Sequence, residues 1–190
     1  MIVDSSVLSQ MVTNTGVKLS TLSNEKAVLL VFLRHFGCTF CREAMDDLSK
    51  IRHELEEDGV QIVLVHMSDD ETADIYLHRF NLDGIPYVTD PECFFYEKFG
   101  LVKGNFKQLF GLSVWMRGID IMLREGYGIG RFIGDGFQMP GVFLLQHGGV
   151  VNSFIHQLAS DRPDYEELVS CCRTSSFRSD DLTNLNLSTS

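Results

Sequence analysis

Two apolar runs with a helix-period segment between them constrain this 190-residue chain more than any other feature. Ala27-Val-Leu-Leu-Val-Phe-Leu33 and Gln61-Ile-Val-Leu-Val-His-Met67 have the length of strands. Runs that are apolar with little alternation belong to strands covered on both faces. Between them, Ala44, Leu48, Ile51 and Leu55 recur at helical spacing over residues 41–57, and Gly59 supplies a stop. Strand, helix and strand in this order predict a parallel pair joined by a right-handed crossover.

The remaining chain extends this frame. Ser68-Asp-Asp-Glu71 has capping-box spacing, and Ala73, Tyr76, Leu77 and Phe80 mark the helix that follows. Tyr87–Asp90 is a brief strand, and Asp90-Pro91 opens a short helix closed by Gly100. Leu109, Leu112, Met116, Ile119 and Leu123 predict a longer helix over 106–125, followed by a glycine-rich connection at 126–134. Residues 142–146 and 150–155 are strands joined by the hairpin signal His147-Gly148-Gly149. Tyr165, Leu168, Val169 and Cys172 mark a last helix. At the start, Asn14-Thr15-Gly16 between two short apolar stretches reads as a hairpin turn. The order is that of an α/β thioredoxin-like fold, a mixed central sheet flanked by helices. It predicts one domain over 1–172, with an N-terminal hairpin and a helical insertion at 103–139 ahead of a cis-proline strand. Residues 173–190, rich in Ser, Thr, Asn and Asp, read as a disordered tail.

A net charge of −10 weighs against nucleic acid or an anionic membrane as partner. The first residues lack the basic and apolar regions of a signal peptide, and Ala27–Leu33 is too short to span a bilayer. Five cysteines, an odd number with two adjacent, do not read as a secreted disulfide scaffold. A reducing cytoplasm is the expected compartment, with cysteines free, metal-bound or catalytic.

The chemistry concentrates at Arg34-His-Phe-Gly-Cys38-Thr-Phe-Cys41-Arg42, where a buried strand gives way to a helix. A helix start presents unpaired N–H groups and the positive end of the macrodipole, which stabilise a thiolate. Cys38 lies at that end, with Arg34, His35 and Arg42 near in sequence to add positive potential. Cys41, three residues on, is placed to close a disulfide with it, so that Cys38 attacks and Cys41 resolves. Half of a zinc site and inert core cysteines are the competing readings, but no second ligand pair with suitable spacing appears. Pro140, just before the strand at 142–146, reads as a cis proline facing the two cysteines; the plainer reading is a proline at the first position of a strand.

At these residues the chain resembles the peroxiredoxin-like 2 branch of the alkyl hydroperoxide reductase/thiol-specific antioxidant superfamily. Phe32-Leu-Arg-His-Phe-Gly-Cys-Thr-Phe-Cys-Arg-Glu43 is similar to its active-site segment, and Asp90-Pro-Glu-Cys-Phe-Phe-Tyr-Glu-Lys-Phe-Gly-Leu101 to its Asp-Pro-Glu helix. Gly134-Asp135, Gln138, Gly141 and Phe154-Ile-His156 match its C-terminal half, and the likeness covers about residues 16–172. The resemblance implies antioxidant or oxidoreductase activity on a disulfide or peroxide, with Cys38 and Cys41 as the redox pair. No bound cofactor or metal is implied; electrons come from an external thiol reductant such as thioredoxin or glutathione. Ordinary peroxiredoxins place Thr or Ser three residues before the reactive cysteine, and here that residue is His35. Thiol–disulfide exchange is therefore better supported than direct peroxide reduction.

Of the other thiols, Cys93 reads as structural rather than resolving, and Cys171-Cys172 as one core and one exposed thiol rather than a vicinal disulfide. The apolar 106–125 segment leaves open a homodimer, or a thioredoxin-fold sensor or interaction module without turnover.

Overall fold

The computed structural model describes residues 3–105, 111, 116 and 136–172. Its elements in chain order are α1 (Ser5–Gln10), α2 (Leu19–Glu25), β1 (Ala27–Phe32), α3 (Thr39–Glu57), β2 (Val60–His66), α4 (Asp70–Arg79), β3 (Tyr87–Thr89), α5 (Phe94–Lys98), β4 (Gly141–Gln146) and β5 (Gly149–Ile155). A last helix, α6, covers residues 165–172.

The strands form one sheet in the order β3-β2-β1-β4-β5. β1 runs parallel to β2, and β2 to β3, while β4 is antiparallel to both β1 and β5. This is the mixed thioredoxin-like sheet that the order of apolar runs implies. Leu29, Val31, Ile62, Leu64, Val142 and Leu144 face one core, packed with residues of α3, α4 and α6. Val28, Leu30, Phe32, Val63, Val65 and Phe143 face a second core, packed with α1, α2 and α5. Both faces of β1 are thus covered, which is why its sequence does not alternate. The β4–β5 hairpin turns through His147 (φ 52°) and Gly148 (φ 72°), the paired left-handed conformation of a type I′ turn.

Several local expectations change. The turn at 13–16 forms, with Val12 bridging Lys18, but its flanks are α1 and α2 rather than hairpin strands. Val7, Leu8 and Met11 are buried together at helical spacing, and Asp4 caps α1 by accepting the Ser6 amide at 2.8 Å. On α4 the cap is Asp69, whose carboxylate accepts the Thr72 amide at 2.7 Å, rather than Ser68. Asp90 does serve α5, but from outside it. Its carboxylate accepts the amides of Phe94, Phe95 and Tyr96 across a left-handed Cys93, and Pro91 stays outside the helix.

The peptide bond before Pro140 is trans, as is every other among the described residues, correcting the cis expectation. Only two residues separate the Lys103–Gln138 bridge from β4, and neither lies in a turn that would demand cis. The missing N–H of Pro140 falls just outside the β-ladder, where no partner is lost. Apart from residues 111 and 116, the expected 106–125 helix lies outside the described residues, as do the 126–134 glycine connection and the 173–190 tail. No helix among the described residues is long and apolar enough to cross a membrane.

Candidate active site

β1 delivers the chain directly to the cysteines. After Phe32, the Leu33 amide still donates to the Val65 carbonyl at 2.9 Å, and then the chain leaves the sheet. The Cys38 amide donates to the His35 carbonyl at 3.0 Å, and the Arg42 amide opens α3 by donating to the Cys38 carbonyl at 3.1 Å. Phe36 anchors the intervening loop: it is fully buried and stacks on Tyr76 with ring centroids 4.9 Å apart. Cys38 is therefore the N-cap residue of α3 and Cys41 sits in its first turn.

Both sulfurs are free thiols in the core that faces α3, with Cys38 8% and Cys41 3% exposed. Their acidities are driven apart. The Cys38 thiol is pulled down from 9.0 to about 6, chiefly by a hydrogen bond from the Cys41 thiol. Burial opposes this, while the Arg34 guanidinium and the amides of Cys41 and Phe40 assist it. Cys41 is pushed well above the ordinary thiol range, first by burial and then by the neighbouring Cys38 sulfur. The pair is thus one ionised sulfur held by one protonated sulfur.

Of the three basic residues expected to support Cys38, Arg34 reaches the sulfur. Its Nη1 donates to Cys38 Sγ at 3.7 Å, its Nε to the Gly136 carbonyl at 2.9 Å, and its backbone N–H to Cys41 Sγ at 3.3 Å. His35 is buried and held down to about 4, by desolvation and then by the Arg34 and Arg42 charges, so at neutral pH it is uncharged. Arg42 has partners of its own. It donates to the Phe36 carbonyl at 3.0 Å and to the Tyr76 hydroxyl at 3.3 Å, which braces the loop. Pro140 is buried and lines the same cavity as both cysteines.

That cavity, about 30 Å³, runs along α3 from Cys38 and Cys41 to Asp47, Arg162 and Tyr165. It has room for water-sized molecules. Sequence reasoning missed its far wall. Asp47 does carry a signal: it interrupts the apolar stripe of α3 between Ala44 and Leu48, and a carboxylate placed there needs a partner. Arg162 is that partner, donating from Nε to Asp47 Oδ2 at 2.8 Å and from Nη2 to Oδ1 at 2.6 Å.

The model of the AhpC/TSA family matches residues 6–154. The chain belongs to this family. Prostamide/prostaglandin F synthase of Salmo salar is 30% identical over 175 residues, covering 85% of this chain and 82% of that protein. Peroxiredoxin-like 2C of Homo sapiens is 28% identical over 149 residues, covering 74% of this chain and 65% of that one. Among solved structures, peroxiredoxin Q of Xanthomonas campestris shares the fold with a TM-score of 0.60 at 13% identity, covering 90% of this chain and 93% of that one. This AhpC/TSA protein is a thiol oxidoreductase of the peroxiredoxin-like 2 branch.

The remaining cysteines of this AhpC/TSA protein stand apart from the pair. Cys93 packs against the opposite core, and its thiol donates to Met67 Sδ at 3.2 Å. Cys171 is exposed and Cys172 buried, and neither is in a disulfide.

The acidity of Cys38 has a direct readout. Iodoacetamide alkylation of Cys38, followed by peptide mass spectrometry, is expected to rise with pH around a midpoint of about 6. Cys41→Ala removes the largest cause and moves the midpoint upward, and Arg34→Met moves it by less. The same shift links to stability. An acid whose folded pKa is depressed stabilises fully above its unfolded value, and this contribution fades as pH falls from about 9 through about 6.

Proposed function

We propose that Cys38 and Cys41 cycle between dithiol and disulfide, reducing a disulfide or small peroxide with electrons from an external thiol reductant such as thioredoxin or glutathione. The observation that carries this reading is the placement of the pair: Cys38 is the N-cap of α3 with the Arg34 guanidinium 3.7 Å from its sulfur, and Cys41 sits in the first turn, so that Cys38 is the more acidic thiol and Cys41 the less acidic. On a disulfide substrate, the Cys38 thiolate attacks one sulfur and expels the other as a thiolate. Cys41 then loses its proton and attacks Cys38 Sγ, which releases the second substrate thiolate and leaves the Cys38–Cys41 disulfide. Two electrons from the reductant restore both thiols. No bound cofactor is needed for this exchange. Three residues before Cys38, neutral His35 stands where a hydroxyl would activate peroxide, so disulfide exchange is the favoured reaction. Such a cycle suits a reducing compartment, and we place the protein in the cytoplasm.

The test is mass spectrometry of the alkylated protein after mild oxidation and again after reduction. A Cys38–Cys41 crosslink that forms and disappears in step is the expected result. If oxidation instead links either residue to another cysteine, or links nothing, the cycle is wrong. Stopped-flow oxidation by hydrogen peroxide ranks the substrates, with a rate near that of a free model thiol expected.

A further inference from the structure

We propose that the Asp47–Arg162 ion pair selects by size what reaches Cys38, acting as the partition between the cysteine cavity and an external groove. The proposal rests on the reading of Cys38 as the reactive thiol and adds how substrates are sorted there. Two cavities meet at this pair. The inner one, about 30 Å³, holds the cysteines. The outer one, about 400 Å³ and far more open, is lined by Lys50, Ile51, Asp164 and Glu166. Asp47, Arg162, Pro163 and Tyr165 line both, and so stand between them.

The two partners come from distant parts of the chain, 115 residues apart. Asp47 projects from α3, and Arg162 from the loop leading into α6. The Asp47 side chain is 11% exposed and that of Arg162 55%, so the pair has one foot in the core and one in solvent. Two parallel N–H···O bonds give it a defined closed geometry. The arginine end, being in solvent, can swing out without unpacking the core. With the pair closed, the inner cavity admits small molecules such as water or hydrogen peroxide. With it open, the two cavities become continuous, and a larger thiol or disulfide has a path to Cys38.

The experiment compares alkylation of Cys38 by iodoacetamide and by a bulky maleimide, read by peptide mass spectrometry in the wild type, Arg162→Ala and Arg162→Lys. Losing the pair should speed the maleimide reaction at Cys38 by at least about tenfold while changing the iodoacetamide rate less than about twofold, with Arg162→Lys intermediate. Raising salt should speed the maleimide reaction in the wild type, because the exposed arginine is screened. Cys93, on the opposite face, reports folding: its labelling stays unchanged in a variant that folds. If Arg162→Ala raises Cys93 labelling, Arg162→Lys and the salt series decide. Equal changes for both reagents, or none, overturn the size selection and leave the thiol reading standing. A Cys38 inert even to iodoacetamide overturns the thiol reading, and the size selection with it.

Discussion

Cys38→Ser is expected to lower turnover of an aromatic disulfide, with thioredoxin or glutathione as donor, by at least about a thousandfold, to background. Cys41→Ser is expected to leave the first step and abolish the second. The asymmetry follows from the positions of the two sulfurs. Cys38 holds the charge, at the helix start and under Arg34, and a serine hydroxyl ionises far too weakly to replace it. Cys41 is a protonated donor, and a serine hydroxyl can donate the same hydrogen bond. Cys38 therefore stays ionised in Cys41→Ser and still attacks the substrate, but nothing resolves the product. Intact-protein mass spectrometry should then show a mixed disulfide on Cys38 that accumulates with one equivalent of leaving thiolate. Cys41→Ala, which cannot donate, should form that adduct more slowly at pH 7, because more of Cys38 is protonated. If Cys38→Ser kept substantial turnover, or if Cys38→Ser accumulated a mixed disulfide on Cys41 while Cys41→Ser accumulated none on Cys38, the assignment of nucleophile and resolver would be reversed or wrong.

The parts of this site that rest on local chemistry are legible in the sequence. Two cysteines three apart at the seam of an apolar run and a helical pattern place both sulfurs, because backbone geometry alone brings a helix start beneath them. The apolar runs at 27–33 and 61–67 announce the sheet for the same reason, since a strand covered on both faces has no polar side to show. What is not legible depends on partners far along the chain. Arg42 lies next to Cys41 in sequence, yet its guanidinium donates to Tyr76, 34 residues away. His35 is basic by residue type but neutral by burial and by its two arginine neighbours. Asp47 looks like a flaw in an amphipathic helix until Arg162 is set against it. The isomer at Pro140 turns on a small difference, about 0.5–1 kcal/mol between the two forms of an X–Pro bond, that surrounding structure overrides easily. At the N-terminus, the turn residues were readable. The helices beside them owe their form to Val7, Leu8 and Met11 docking on the second core.

That second core also carries the largest stability effect the structure implies. Phe32→Ala should destabilise the protein by about 3–5 kcal/mol, a large part of the roughly 5–15 kcal/mol that holds a domain folded. Phe32 is 1% exposed and meets three rings at once, with centroids 4.9 Å from Tyr96, 4.9 Å from Phe99 and 5.6 Å from Phe143. Removing it opens a void between β1, β4 and α5, with rigid rings on every side and little freedom to collapse. Tyr96 is further constrained, since its hydroxyl shares its one proton between the Leu33 and Val65 carbonyls and cannot slide into the gap without losing that bond. Urea unfolding should show the loss in the midpoint with an unchanged slope, and the thermal midpoint should fall by roughly 6–20 °C. Phe94→Ala is the control: Phe94 is 43% exposed, and the change should cost less than about 1 kcal/mol. A Phe32→Ala loss no larger than the control would mean that the ring cluster does not anchor β1. The strand that delivers Cys38 to its helix would then owe its place to the opposite face, where Leu29, Val31 and Leu33 pack beneath α3.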